Sequence, residues 1–170
     1  MTARTLVLLR HAKAETPGDR PDFERRLTDK GRADADAAGS WLADEGLRPD
    51  LVICSPAARA RQTWHGVAVA LSQADPDGPA PEVHYEPGLY EGGRTEVIDL
   101  LRAVPAGTPT VLVIGHNPTM SDVSLLLRPD AGSDDPALKT AGMAVHRADG
   151  PWSETEPGGM PLVQEHTARG

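Results

Sequence analysis

Residues 5–12 read TLVLLRHA, a short and almost continuous apolar run that ends on an arginine and a histidine. Two later stretches repeat this layout: residues 51–56 read LVICSP and residues 110–117 read TVLVIGHN. Runs of this length, rich in β-branched residues, suit strands covered on both faces, as in a parallel sheet. Between them the apolar spacing becomes helical. Thr28 is a cap candidate for a helix over residues 32–45, where Ala35, Ala38, Leu42 and Ala43 form one stripe ending at Gly46. Residues 57–74 carry Val67, Ala70, Leu71 and Ala74 at helical spacing. Residues 96–104 read as a shorter helix closed by Pro105 and Gly107, and residues 120–127 as a fourth, stopped before Pro129. This alternation predicts an α/β domain with a mainly parallel sheet.

The remaining segments read as connections. Residues 13–26 and 75–81 are loops, rich in charge, Pro and Gly. Beyond Pro129 only residues 142–146 and 161–164 look strand-like, and the last few residues are expected to be disordered. The length of 170 residues suits one domain spanning residues 1–170. There is no internal repeat.

Composition narrows the function. The chain carries 17 Lys+Arg against 25 Asp+Glu, a net charge of −8, without a basic run. That balance argues against nucleic acid or an anionic membrane as partner. A single cysteine, Cys54, excludes an internal disulfide and a cysteine-rich zinc site. The apolar run before Arg10 is too short for a signal peptide or a membrane span, so a soluble, cytoplasmic protein is expected.

In open parallel sheets, ligands bind beyond the carboxyl ends of the strands. Arg10 and His11 follow the first run, Ser55, Pro56 and then Arg59 the second, and Gly115, His116 and Asn117 the third. The topology therefore gathers two arginines and two histidines at one sheet edge. Arginine matches phosphate oxygens with two parallel hydrogen bonds and keeps its charge near neutral pH. A neutral imidazole can accept a phosphoryl group and pass it to water. Phosphoryl transfer needs mainly positioning and charge stabilisation, which this set supplies without a metal or any other cofactor.

The stretch LVLLRHAKAE (6–15) resembles the RHG/RHA signature of the histidine phosphatase superfamily, the phosphoglycerate mutase-like proteins. CSPAARARQTW (54–64) is similar to the family's S-P-x-x-R-A-x-Q-T segment, and VLVIGHNPTM (111–120) to its second-histidine motif. LTDKGRADADAAGSWL (27–42) resembles the L-T-x-x-G helix of the SixA-type phosphohistidine phosphatases. Ala12 stands where the first signature often has glycine, which also fits the SixA-type branch. The resemblance implies a three-layer α/β/α sandwich around a mostly parallel sheet. It implies His11 as the phosphorylated nucleophile, Arg10 and Arg59 as phosphate-binding arginines, and His116 as the second pocket histidine. Glu91, in Leu89–Tyr90–Glu91, lies where many members have an L-x-E acid. Two readings of Glu91 stay open: an acid for the leaving group, or a solvated loop carboxylate.

Other classes fit less well. A cysteine phosphatase needs C-x5-R, and Cys54 is followed by arginines one position short (Arg59) and one position long (Arg61). The G-x-S-x-G and GxxxxGK[ST] motifs are absent, Asp34 and Asp36 sit inside a helix pattern, and His11 and His116 lack short-spaced metal-ligand partners. His65, His84, His146 and His166 read as structural or surface groups, and Arg61 as a surface or packing residue. Ser55 and Asn117 read first as helix caps. Arg20, Arg25 and Arg26 belong to a loop that can reach the pocket, with solvated charge the simpler reading; Arg26 stands where the family often has proline. The expected partner is a phosphorylated protein carrying phosphohistidine, favoured by the lack of a long insertion able to form a lid. The alternatives are a small phosphoester substrate or a binding domain without turnover.

Overall fold

The computed structural model describes residues 2–18, 20–130 and 135–170. Its centre is one six-stranded sheet, formed by β1 (Ala3–Arg10), β2 (Leu51–Cys54), β3 (Glu82–Tyr85), β4 (Thr110–Gly115), β5 (Gly142–Asp149) and β6 (Leu162–Thr167). The order is β3-β2-β4-β1-β5-β6. The first four run parallel to one another, whereas β5 pairs antiparallel with β1 and β6 antiparallel with β5. Among the described residues five helices accompany the sheet: α1 (Asp29–Asp44), α2 (Ala58–Ala74), α3 (Gly88–Glu91), α4 (Arg94–Arg102) and α5 (Thr119–Leu127). None is long and apolar enough to cross a membrane.

Strand alternation divides the core into two layers. Val7 and Leu9 of β1 face a cluster built from α1 and α2, including Ala35, Leu42, Trp64, Val67 and Leu71. Leu6 and Leu8 face the opposite cluster, with Val97 and Leu101 of α4, Met120 and Val123 of α5, and Trp152. The sheet thus lies between helical layers, the sandwich that the sequence implied.

The L-T-x-x-G signature has a physical reason. The Thr28 hydroxyl accepts a hydrogen bond from the Gly31 amide at 3.0 Å, capping α1, an interaction worth about 1 kcal/mol. A Cβ on Gly31 would lie 2.0 Å from the Lys13 carbonyl oxygen, so no other residue fits there. Leu27 is buried, and its amide donates to Gln62 Oε1 at 2.8 Å.

Three expectations need correction. The C-terminus is ordered: β6 extends to Thr167, the Ala168 amide donates to the Ala141 carbonyl, and the Gly170 amide reaches Asp34 Oδ1 at 2.9 Å. β3 and α3 fall in a region with no predicted element; β3 is an exposed edge strand and α3 a single turn. Residues 13–26 form more than a surface loop. Ala14 bridges Leu27, the Glu15 amide bonds to the Arg26 carbonyl, and a 3-10 turn at Asp22–Glu24 rests against α2. We refer to residues 14–27 as the strap; Asp19 within it lies outside the described residues, as do Met1 and residues 131–134.

Candidate active site

Sheet register builds the centre of the site. Arg10 pairs with Gly115 across β1 and β4, so the next residue on each strand, His11 and His116, lies beside the other. Their ring centroids are 5.1 Å apart. Ile114 pairs with Cys54 of β2, which delivers Ser55 to the same edge. From there α2 begins, with Arg59 in its first turn.

His11 is held from both sides. Its Nδ1 lies 2.7 Å from the Ala12 carbonyl oxygen, which only accepts, so Nδ1 carries the proton. That leaves a lone pair on Nε2, and Arg59 Nε donates to it at 3.3 Å. Burial pushes the His11 imidazole down to about 3, helped by the nearby His116, Arg59 and Arg10 and opposed by the Ala12 hydrogen bond. The ring is therefore neutral near pH 7. Thr63 Oγ1 accepts from the Ala12 amide at 3.0 Å and donates to the Arg59 carbonyl at 2.8 Å. The Q and T of the R-A-x-Q-T segment thus act as framework, Gln62 anchoring the strap and Thr63 tying the His11 loop to α2.

His116 Nε2 sits 2.7 Å from Ser55 Oγ, which also accepts the Ala57 amide at 3.3 Å. Ser55 therefore holds the turn into α2 and orients the histidine, while the helix cap itself is Ala57, with no side-chain hydrogen bond. When the Ser55 hydroxyl donates to Nε2, the His116 proton resides on Nδ1, a buried atom without a hydrogen-bond partner among the described residues. Among the described residues four arginine Nε atoms share that state, so Arg10 Nε alone marks nothing, while His116 is the one histidine with such an atom. Burial, then the charge of Arg59, lowers His116 to about 4. Arg10 reaches the Leu138 carbonyl at 3.1 Å, and burial lowers its guanidinium from its usual range.

The structure adds two residues that the sequence did not single out. Asp22, on the strap, accepts from Arg59 Nη2 at 3.1 Å, from the Tyr90 hydroxyl at 2.8 Å and from Arg25 Nε at 3.0 Å. Its carbonyl also accepts from Arg59 Nη1 at 2.8 Å. These contacts, Tyr90 first and then Arg25 and Arg59, hold its carboxyl down at about 2. Tyr90 packs edge-on against His116 with centroids 5.7 Å apart, and against Phe23 at 5.0 Å. Tyr90 lay inside the quoted L-x-E segment. Asp22 had no signal beyond its place in a charged loop.

The other candidates divide. Glu91 lies on α3 beside Tyr90, but its side chain is exposed and has no hydrogen-bond or ion-pair partner among the described residues. Asn117 Oδ1 accepts from the Ser121 amide and hydroxyl, and its Nδ2 donates to the Leu138 carbonyl, so it ties α5 to the chain beside Arg10. Arg61 donates to the Pro56 carbonyl, away from His11. Cys54 is buried and its thiol is pushed up to about 12, which leaves no thiolate for nucleophilic chemistry. Among the described residues no group of three or more His, Cys, Asp or Glu is placed to hold a metal ion.

Comparison with known proteins agrees with this geometry. The profile of the histidine phosphatase superfamily (branch 1) matches residues 6–98. An uncharacterized protein of Mycobacterium tuberculosis is 35% identical over 168 residues, which take in 95% of this chain and 100% of that one. The structure assigned to phosphohistidine phosphatase SixA of Nakamurella multipartitia superposes with a TM-score of 0.82 at 34% identity, covering 99% of this chain and 98% of that one. The protein histidine phosphatase SixA solved in complex with tungstate gives a TM-score of 0.79 at 25% identity, with 96% of each chain covered. By this profile and these full-length likenesses, the chain belongs to the histidine phosphatase superfamily, on its SixA-type branch, as a phosphatase.

Proposed function

We propose that this protein is a metal-independent phosphohydrolase that works through phosphohistidine on His11 and acts on phosphohistidine in a phosphorylated protein. The observation that carries this reading is the His11 ring, buried and neutral, with Nδ1 bonded to a carbonyl and the Nε2 lone pair turned to Arg59. In the first step Nε2 attacks phosphorus, the P–Nε2 bond forms as the bond to the leaving nitrogen breaks, and the leaving imidazole takes a proton. In the second step water attacks phosphorus, the P–Nε2 bond breaks, and inorganic phosphate leaves. Arg10, Arg59 and the Nδ1–H of His116 bind the phosphoryl oxygens throughout.

Asp22 shapes the entry of substrate. Its carboxylate and carbonyl take both terminal nitrogens of Arg59, so a phosphoryl group that needs that fork displaces them. Asp22 is tied up by Tyr90, Arg25 and Arg59, whereas Glu91 has no side-chain partner among the described residues. Glu91, next to Tyr90, is then the acid for an oxygen leaving group. A phosphoramidate nitrogen takes its proton readily and needs less help.

One likeness supports the reading. One similar structure is named a protein histidine phosphatase, and it was solved with tungstate, a tetrahedral oxyanion like phosphate. A second reading, hydrolysis of a small phosphomonoester, draws on the strap reaching Arg59, which narrows the mouth on one side. Trapping separates the two. Brief reaction with a phosphohistidine protein and with aryl and alkyl phosphates, with and without EDTA, followed by mass mapping, is expected to place the label on His11. The phosphohistidine protein is expected to turn over fastest. A label on any other residue overturns the mechanism, and loss of activity in EDTA overturns its independence of metal.

A further inference from the structure

We infer that the arginine-lined cleft between the strap and α2 docks an acidic segment of the protein substrate, next to the phosphoryl group that enters the His11 pocket. This inference rests on the phosphatase reading above and adds a substrate class to it. The cleft measures about 440 Å³ and is lined by Arg20, Glu24 and Arg26 of the strap and by Ala58, Arg61 and Gln62 of α2. The two elements that form it, the strap and α2, also border the phosphate pocket, because Arg59 in the same turn of α2 holds Asp22 of the same strap. Two residues apart on a helix turn about 200° around its axis. Arg59 accordingly serves His11 while Arg61 serves the cleft.

The charge in the cleft is unbalanced. Among the described lining residues three arginines face one carboxylate, Glu24, in a chain whose net charge is −8. Arg26 makes no side-chain hydrogen bond or ion pair among the described residues. Arg61 Nε donates to the Pro56 carbonyl, and its terminal nitrogens make no hydrogen bond or ion pair among the described residues. Arg20 has a half-exposed pair with Glu15 at 3.4 Å, an arrangement that contributes little and exchanges easily. Like charges gathered without counter-ions repel, and a carboxylate-bearing ligand relieves that repulsion with paired Arg–carboxylate bonds. Neither arginine is a motif residue: Arg61 is the x of R-A-x-Q-T, and Arg26 stands where the family often has proline. The cleft is thus a feature of this chain rather than of the catalytic set.

A matched pair of phosphohistidine peptides tests the inference, one flanked by Asp and Glu and the other by Asn and Gln at the same positions. The readout is the ratio of their kcat/KM values, which cancels any general change in activity. In the wild type the acidic peptide is expected to win by about tenfold, chiefly through a lower KM, with the advantage shrinking as salt rises. In Arg26→Glu/Arg61→Glu the ratio is expected to fall to about one or below, and in Arg26→Gln/Arg61→Gln to lie between. Equal turnover of the two peptides by the wild type overturns the docking site, as does a ratio unchanged in both variants. Fluorescence anisotropy of the unphosphorylated acidic peptide reads the cleft without catalysis. If no phosphorylated substrate is turned over but this peptide binds wild type and not the charge-reversed variant, the catalytic reading fails and the docking site stands.

Discussion

Two histidines in this protein share a hydrogen bond with a serine at nearly the same length. His116 and Ser55 are 2.7 Å apart, and His146 and Ser124 are 2.9 Å apart. Burial lowers both rings to about 4. They differ in the second ring nitrogen. His146 Nδ1 bonds to the Met160 carbonyl at 2.8 Å, in the middle of the sheet and fully buried. His116 Nδ1 has no hydrogen-bond partner among the described residues, at a strand end beside Arg59 and the nucleophile candidate His11. A histidine with both nitrogens satisfied joins elements together. One left with a free donor beside arginines is prepared for a ligand.

The largest effect that can break this comparison is on catalysis. His116→Ala is expected to lower kcat/KM by about 100-fold, the usual scale for loss of one donor to transition-state charge, measured by steady-state turnover of phosphohistidine protein. Its stability to urea is expected to change by about 1 kcal/mol or less, since the ring is only partly buried and the serine keeps its Ala57 contact. His146→Ala is expected to behave in the opposite sense. It leaves a cavity and strands the Ser124 hydroxyl, for a loss of about 2–4 kcal/mol by urea denaturation, with kcat of the folded fraction within about twofold. A large catalytic loss in His146→Ala, or a large stability loss in His116→Ala, would remove the distinction.

How much of this was readable from the chain follows the same division between local and distant contacts. β1, β2 and β4 were legible because central strands leave unbroken apolar runs, and the runs end at the edge where His11, Ser55 and His116 gather. His11, Arg59 and His116 were therefore found together before any geometry. β3 was missed because its exposed, polar residues carry no such signal. Asp22 and Tyr90 were missed because their contacts are remote: Asp22 meets Arg59 across 37 positions and Tyr90 across 68. The C-terminal residues look like a loose polar tail, and it is the buried Asp34, 136 positions from Gly170, that holds them.

A smaller effect concerns acid. A neutral buried histidine binds its proton less readily in the folded chain than in the unfolded one. For His146 the unfolded state takes up a proton from about pH 6.5 downward, and the folded state only near about 4. Stability is therefore complete above pH 6.5 and falls as pH drops through the interval to about 4. The slope for one such group is at most about 1.4 kcal/mol per pH unit. Urea titrations of wild type and His146→Gln across that interval are expected to show a shallower decline in the variant. Equal slopes would mean that His146 is not neutral when folded.

The smallest expected effect separates the two carboxylates at the mouth. Asp22 is locked by Tyr90, Arg25 and Arg59, whereas the Glu91 side chain is exposed and has no partner among the described residues. If Glu91 donates the proton to an oxygen leaving group, its loss must be felt in proportion to the basicity of that group. Glu91→Gln is thus expected to lower turnover of an alkyl phosphate by about tenfold. Turnover of a nitrophenyl phosphate, whose leaving oxygen needs little help, and of phosphohistidine is expected to stay within about twofold. Asp22→Asn changes a different step. It removes the anion that competes for Arg59, so tungstate or phosphate is expected to inhibit more tightly than in wild type, with no dependence on the leaving group. A uniform fall across all substrates in Glu91→Gln would show that this carboxylate acts on binding, and a leaving-group dependence in Asp22→Asn would move the acid from α3 to the strap.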